Sequence, residues 1–172
     1  GAVLTNDDEA AARVRALRNY GSERKYHHPV AGFNSRLDTL QAVVLNAKLA
    51  PLDGSNDLPP PAAARDDALL AAAAGVRGPA TLPGNTHVWH LYVVRVERRD
   101  RVLAALHEAG IGAGIHYPFP LHATGAFAGS APRGAFPVAE QLADEILSLP
   151  LFPGITEAQQ ARVVAALADA VG

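Results

Sequence analysis

The chain has 172 residues, 49% hydrophobic and 19% charged, which excludes a disordered protein and is typical of a globular chain with a core. Its formal charge of −2 includes no basic run that offers the phosphate contacts of nucleic-acid binding. No apolar stretch approaches the roughly 20 residues that cross a bilayer, and no signal-peptide pattern follows Gly1, so we expect a cytoplasmic protein.

The first predicted elements are a strand end and a helix. Residues 2–4 are apolar and strand-like. Asn6 or Asp7 can cap the helix that follows, because their side chains accept hydrogen bonds from its first free N–H groups. We expect this helix to end near Tyr20, with Gly21 as a left-handed cap.

A polar loop and a second helix follow. Residues 22–35 are rich in aromatic and histidine side chains, and loops of that length are commonly functional. Ser35 with Asp38 predicts a capping box for an amphipathic helix. Pro51 is expected to end that helix because proline lacks the amide donor.

Residues 51–60 are dense in helix breakers and predict a linker or domain boundary. A further helix is expected at about residues 62–74, ending at Gly75.

Beyond that helix the pattern predicts strands alternating with helices. Residues 88–96 are predicted as a strand. Asp100 is expected to cap a helix through His107, closed by Gly110, and residues 111–115 are predicted as a short strand.

A proline-rich loop at 116–136 precedes a predicted helix at about 138–146 and an extended piece at 147–151. Thr156 and Gln159 predict a capping box for the last helix. This alternation indicates a small α/β domain with helices on a sheet of few strands.

The residue types limit the chemistry. Cysteine is absent, which excludes disulfides, thiolate nucleophiles and cysteine zinc sites. Lys25 and Lys48 are the only lysines among 15 basic residues, so a lysine Schiff base has two candidates. Methionine is also absent, and we expect the chain to be part of a longer protein.

The seven histidines do not predict a metal site. His87 and His90 are three apart on a predicted strand, where they would face opposite sides. His116 and His122 could meet across the proline-rich loop, but that loop contains no acidic residue to complete a metal shell. We expect these histidines to be hydrogen-bonded or to face a substrate, and His107 to be solvated.

The glycine pattern at residues 110, 112 and 114 enters a predicted strand and does not open a helix, unlike a phosphate-binding loop. It predicts a helix cap followed by tight packing. No Gly-x-Ser-x-Gly pattern of a hydrolase occurs.

The loops before Ser35 and after Ile115 combine His, Tyr and Asn with backbone-bending residues, as in sites for small polar molecules. Asn34 is predicted to lie at the start of a helix, where its amide could donate to an anionic oxygen near the positive helix end. The alternative is an asparagine that satisfies its own turn.

Six blocks of the sequence together resemble the sequence pattern of one known family. Gly32-Phe-Asn-Ser-Arg-Leu-Asp-Thr-Leu-Gln-Ala42 resembles the Gly-aromatic-Asn-x-Arg-(Leu/Met)-x-x-(Leu/Ile)-Gln-Ala signature of the DegT/StrS sugar aminotransferases. The other blocks lie in the family's order: Gly1-Ala-Val-Leu-Thr-Asn-Asp with Arg18-Asn-Tyr-Gly, Lys25-Tyr-His-His, His87-Val-Trp-His-Leu-Tyr-Val-Val, Gly110-Ile-Gly-Ala-Gly-Ile-His-Tyr-Pro-Phe-Pro-Leu-His122, and Phe136-Pro-Val-Ala-Glu with Leu147-Ser-Leu-Pro-Leu-Phe-Pro.

The resemblance implies the type I aminotransferase fold, with residues 1–50 closing the large cofactor domain and 51–172 forming the small C-terminal domain. Family members are homodimers that use pyridoxal phosphate to move an amino group from an amino acid, usually glutamate, to a nucleotide-linked keto sugar. Asn34 matches an asparagine that reaches across the dimer to the cofactor phosphate. The residues matched on the substrate side of the cleft are Tyr26, His28, His116, Tyr117 and His122.

The resemblance places the Schiff-base lysine just before the position of Gly1, and neither Lys25 nor Lys48 matches it. We therefore expect the 172 residues alone to be inactive. Two alternatives stay open: a non-catalytic remnant that binds a nucleotide sugar or a partner, and a dehydratase in which a histidine replaces the lysine.

Overall fold

The computed structural model describes residues 1–172. The chain forms two compact units, Gly1–Pro51 and Leu52–Gly172. Their assignment to the large and small domains of an aminotransferase stays a prediction.

The first unit begins with α1 (Asp8–Leu17). The Asp7 side chain accepts from the amides of Glu9 and Ala10, which confirms the predicted cap. Residues 2–4 form no strand, so that prediction was wrong. The helix ends before Tyr20 because Tyr20 itself has a positive φ of 58°, and Gly21 follows in the predicted left-handed conformation with φ 73°.

The second helix, α2, spans Thr39–Leu49. The predicted capping box of Ser35 with Asp38 is wrong, because Asp38 itself is the N-cap residue and makes no side-chain cap bond. No residue of α2 is buried within the chain. Its apolar side chains are therefore exposed, namely Leu40, Val43, Val44, Leu45 and Leu49.

The second unit opens with two helices, α3 (Leu52–Asp57) and α4 (Pro59–Leu70). The linker alternative for 51–60 is therefore wrong, whereas the alternative of a domain boundary agrees with the division between the units at Pro51–Leu52. Pro59 lies in the first turn of α4, where the missing amide donor leaves no helical bond unmade. For the same reason α4 begins earlier than predicted, although the chain still turns at Gly75, with φ 81°.

An antiparallel sheet of three strands forms the centre of this unit. In order across the sheet they are β1 (Val76–Arg77), β2 (Tyr92–Val96) and β3 (Ile146–Leu149). The prediction of strand at 88–96 was too long, because Trp89 has a φ of 54°. The segment 111–115 is not a strand either, and joins β3 through a single bridge between Gly114 and Ser148.

Three more helices lie in the second unit: α5 (Arg99–Glu108), α6 (Pro137–Glu145) and α7 (Glu157–Val171). The predicted cap of α5 was wrong: Arg98 is the N-cap residue and Asp100 lies in the first turn. The predicted capping box of Thr156 and Gln159 on α7 is confirmed. None of the helices has the length and apolar character that crossing a membrane requires.

The core lies between the sheet and the helices α4, α5 and α7. Strand β2 alternates buried and half-buried residues, which directs Tyr92, Val94 and Val96 inward. Leu106 and Leu167 are fully buried against this face, and burial of each such side chain contributes about 1.5–3 kcal/mol. The predicted α/β class, with helices on a sheet of few strands, is confirmed.

Candidate functional site

In the first unit, the backbone of residues 32–35 pairs with the end of α1. The amide of Phe33 donates to the Leu17 carbonyl at 2.7 Å, and the amide of Tyr20 donates to the Phe33 carbonyl at 2.9 Å. The amide of Ser35 donates to the Arg18 carbonyl at 2.9 Å. These bonds fix the position of the segment that contains Asn34.

Two glycines permit this close approach. A Cβ atom on Gly32 would lie 2.0 Å from the Gly21 nitrogen, and a Cβ on Gly21 would lie 1.7 Å from the Val30 oxygen. Both contacts involve backbone atoms, which cannot move aside as the end of a flexible side chain can. The glycines of Arg18-Asn-Tyr-Gly21 and Gly32-Phe-Asn-Ser are thus parts of one packed structure.

Asn34 is exposed and forms a β-bridge with Asn19. It does not lie at a helix start as predicted, because α2 begins only at Thr39. A positive helix end therefore gives it no support. Its side-chain amide makes no hydrogen bond within the chain, so it does not satisfy its own turn either. The amide is available to a ligand.

His28 contacts the same turn as Asn34. Its Nδ1 lies 3.0 Å from the Tyr20 carbonyl oxygen. Tyr26 is not held there: it has a φ of 66° and its side chain is 82% exposed, with Lys25 Nζ 5.0 Å from its ring centroid. His28 and Asn34 thus contact neighbouring residues, Tyr20 and Asn19, whereas Tyr26 lies on the adjoining tight turn.

In the second unit, His116 is held by the sheet. Its Nδ1 lies 2.9 Å from the Ser148 Oγ, and Ser148 is a buried residue of β3. The backbone of Ser148 bridges to Gly114, where a Cβ would lie 3.1 Å from His116 Cε1. Tight packing at Gly114 is therefore confirmed, whereas Gly112 has no neighbour that a Cβ would meet.

His122 pairs with an acid from a helix. Its Nε2 lies 3.0 Å from Glu140 Oε1, and the side chains are 11% and 20% exposed. Glu140 also accepts from the amides of Gly134 and Phe136. Desolvation raises the pKa of Glu140, but the hydrogen bonds from these two amides and from His122 outweigh it and lower that pKa.

A cavity of about 720 Å³ lies beside this pair. Its walls include His122 and the aromatic side chains of Tyr117, Phe119, Phe127 and Phe136. A second cavity of about 350 Å³ also touches His122 and Glu140 and is bordered by Arg133 and Asp144. Apolar walls with a few polar groups are typical of small-molecule sites.

Tyr117 and His122 thus share one cavity, but His116 does not join them there. The His116 ring lies against that of Tyr117, with centroids 5.7 Å apart, yet it borders a separate cavity with His90 and Ser148. The sequence predictions missed Ser148 and Glu140. Glu140 could have been identified from the Phe136-Pro-Val-Ala-Glu block. It was missed because the sequence prediction considered only acidic residues of the loop, whereas Glu140 lies on α6.

The other histidines have local roles. His87 stacks on Trp89 with centroids 4.1 Å apart, and neither His87 nor His90 lies in a strand. His107 is exposed, as expected, and its Nε2 also lies 2.8 Å from the Ala113 carbonyl oxygen. No group of three or more His, Asp or Glu side chains is placed to hold a metal ion.

Pyridoxal phosphate, the cofactor that the resemblance implies, needs hydrogen-bond donors for its phosphate. The free amide of Asn34, on a turn fixed by backbone bonds, is such a donor. Lys25 lies over the Tyr26 ring and Lys48 is exposed on α2. The residues present therefore fit a phosphate contact at Asn34.

Comparison with known sequences gives a match along the whole chain. A sequence model of the DegT/DnrJ/EryC1/StrS aminotransferase family matches residues 1–168. The chain is 46% identical over 170 residues to the dTDP-3-amino-3,4,6-trideoxy-alpha-D-glucose transaminase of Streptomyces venezuelae. This match covers 98% of the chain and 45% of the relative, so the chain spans less than half of the relative's length.

Solved structures also resemble the chain, and two of them show the range of identity. DesV from S. venezuelae has a TM-score of 0.85 and 45% identity, and the match covers 96% of this chain and 45% of that one. The protein ntda from Bacillus subtilis, solved with bound cofactor PMP, has a TM-score of 0.80 and 25% identity, covering 97% and 40%. These similarities confirm the predicted type I aminotransferase fold.

Proposed function

Because the chain belongs to the DegT/DnrJ/EryC1/StrS aminotransferase family, we propose that it forms the C-terminal part of a pyridoxal-phosphate-dependent enzyme. This enzyme transfers an amino group from glutamate to a keto sugar carried on a nucleotide. One observation carries the proposal: 46% identity to a dTDP-amino-sugar transaminase extends over 98% of the chain. The likeness therefore includes both loops that contain the predicted site residues.

The cofactor supplies an electron sink that lets an amino group pass between donor and acceptor. The side-chain amide of Asn34 would donate a hydrogen bond to the phosphate of the cofactor. The backbone hydrogen bonds of residues 32–35 to the end of α1 hold Asn34 in place. The Schiff-base lysine belongs to a segment outside residues 1–172. The 172 residues alone are then inactive, because neither Lys25 nor Lys48 replaces it.

The substrate side of the site includes Tyr26, His28, His116, Tyr117 and His122. His28, fixed through Tyr20, and His122, fixed through Glu140, are oriented polar groups. Oriented donors and acceptors can select a substrate by its hydroxyl pattern. The aromatic walls beside His122 suit the apolar faces of a sugar ring.

We propose that the enzyme is a homodimer that shares its active sites between subunits. Exposed apolar side chains support an assembled state: Leu40 is 82% and Phe33 70% exposed, and no residue of α2 is buried within the chain. A cytoplasmic location follows from the substrate, since nucleotide-linked sugars are made inside the cell.

The proposal is tested with the longer protein that contains this chain, in the reverse direction. Incubation of the pyridoxal-phosphate form with dTDP-3-amino-3,4,6-trideoxy-α-D-glucose and 2-oxoglutarate is expected to produce glutamate. Other nucleotide-linked amino sugars extend the assay if this one is not accepted. A protein that binds such sugars but produces no glutamate from any of them is a binding remnant or a dehydratase, and would contradict the proposal.

A further inference from the structure

Glu140 holds three separate groups around one side of the cavity next to His122. Its carboxylate accepts from the amide of Gly134 at 2.8 and 3.0 Å and from the amide of Phe136 at 3.4 Å. The same carboxylate lies 3.0 Å from His122 Nε2. Glu140 therefore links the histidine to the loop that leads into α6.

This arrangement restricts the His122 ring. The ring lies between the Glu140 carboxylate and the Phe136 side chain, whose ring centroid is 4.8 Å away. Its side chain is only 11% exposed. These two contacts and the low exposure favour one orientation of the His122 ring.

The carboxylate also determines which ring nitrogen carries the proton. An ionised carboxylate only accepts hydrogen bonds, so His122 Nε2 must be the donor in this contact. In the neutral ring, Nδ1 is then an acceptor. Nδ1 makes no hydrogen bond within the chain, whereas the ring borders both cavities.

We infer that Glu140 is a positioning residue that fixes His122 as the Nε2–H tautomer, so that Nδ1 accepts a hydrogen bond from a sugar hydroxyl. The cavity of about 720 Å³ matches the size of small-molecule sites. Its aromatic side chains offer apolar faces beside one acceptor, which is the combination that a sugar ring with hydroxyl edges requires. The identity of the ligand as a sugar rests on the proposed function; the tautomer does not.

The tautomer is tested in the full chain, labelled with nitrogen-15, by long-range proton–nitrogen correlation of the His122 ring at neutral to mildly alkaline pH. The inference expects a protonated Nε2 and an unprotonated Nδ1. A protonated Nδ1 in the unmodified chain overturns it, and this outcome requires no variant to fold.

Two variants separate positioning from general damage to α6. Glu140→Ala removes both acceptor oxygens, so His122 Nε2 loses its acceptor and the fixed tautomer should be lost. Asp144→Ala is the matched control: it removes an acid from the same helix and cavity that has no contact with His122. Loss of the tautomer in both variants, or in neither, overturns the role of Glu140.

The ligand is tested by calorimetry on the longer holoenzyme with dTDP-glucose and with dTDP. Glu140→Ala should weaken the binding of dTDP-glucose roughly tenfold, as expected for one lost hydrogen bond, and leave the binding of dTDP unchanged. Equal weakening of both, or of neither, overturns the assignment of the sugar hydroxyl. Calorimetry measures binding and not amino transfer. Its result is therefore independent of the glutamate assay that tests the proposed function.

Discussion

A Cβ atom placed on Gly32 would lie 2.0 Å from the backbone nitrogen of Gly21. The two glycines are eleven positions apart in sequence, yet their contact fixes the segment on which Asn34 lies. The proposed cofactor contact therefore depends on two residues that have no side chain to contribute.

Gly32→Ala should displace residues 32–35 from α1, because the added methyl group meets backbone atoms of Gly21, Tyr20 and Leu17. A destabilisation of at least about 3 kcal/mol is expected. Limited proteolysis should cut residues 18–35 much faster than in the unmodified chain. Gly54→Ala is the control, since nothing lies within 4 Å of its added Cβ; equal cutting of both variants contradicts the account.

Leu167→Ala should destabilise the second unit by about 2–5 kcal/mol, because Leu167 is fully buried and its truncation leaves a cavity. Urea unfolding followed by the fluorescence of Trp89, which packs on Tyr92, measures the change. Val138→Ala, at a side chain 69% exposed, should change the free energy of unfolding by less than about 0.5 kcal/mol. A small effect at Leu167 would place α7 outside the core.

The stability of the loop that leads into α6 should depend on pH through the ionisation of Glu140. Its pKa is lowered in the folded chain, despite desolvation, by hydrogen bonds from Gly134, Phe136 and His122. Because its pKa is lowered on folding, Glu140 stabilises the folded chain at pH values above the ordinary glutamate pKa. This stabilisation is lost as the pH falls through the pKa of the folded chain. Carbon-13 titration of the Glu140 carboxyl should give a midpoint below 4.5. A midpoint above that value contradicts the hydrogen bonding described.

Substitution of two neighbouring acids on α4, Asp66 and Asp67, should change the free energy of unfolding in opposite directions. Burial raises the pKa of Asp66, which is 3% exposed, so its ionisation at neutral pH opposes folding. Asp66→Asn should therefore raise the unfolding midpoint at neutral pH, and the gain should vanish below the ordinary aspartate range.

Asp67 instead accepts a hydrogen bond from the hydroxyl of the fully buried Tyr92. Asp67→Ala should cost about 1–3 kcal/mol because that hydroxyl loses its partner. Thermal unfolding of the two variants at neutral and acidic pH compares them. A stabilising Asp67→Ala or a destabilising Asp66→Asn would contradict these assignments.

Local cap signals predicted helix starts in part, because the Ser35–Asp38 box on α2 and the Asp100 cap on α5 were wrong. Asp7 on α1 and the Thr156–Gln159 box on α7 are both confirmed. The start of α4 at Pro59 was not predicted, because proline in the first turn is compatible with a helix, whereas the boundary predicted within 51–60 agrees with the division between the units at Pro51–Leu52. The short strand β1 was missed, since two residues carry no periodic pattern.

Less of the candidate site was visible in the sequence. The resemblance identified Asn34 and His122 as candidates, but their partners come from distant segments. Asn34 is fixed by the Gly21–Gly32 contact and His122 by Glu140, 18 positions away. Such contacts depend on how distant segments of the backbone come together, and the spacing of residues within one segment does not predict them.

The location of the Schiff-base lysine tests the central claim most directly. The longer protein, incubated with pyridoxal phosphate, reduced with borohydride and digested, is mapped by mass spectrometry. We predict one modified lysine, and that it lies outside residues 1–172. A stoichiometric adduct on Lys25 or Lys48, or no adduct at saturating cofactor, would contradict the claim that this chain is the C-terminal part of a pyridoxal-phosphate-dependent aminotransferase.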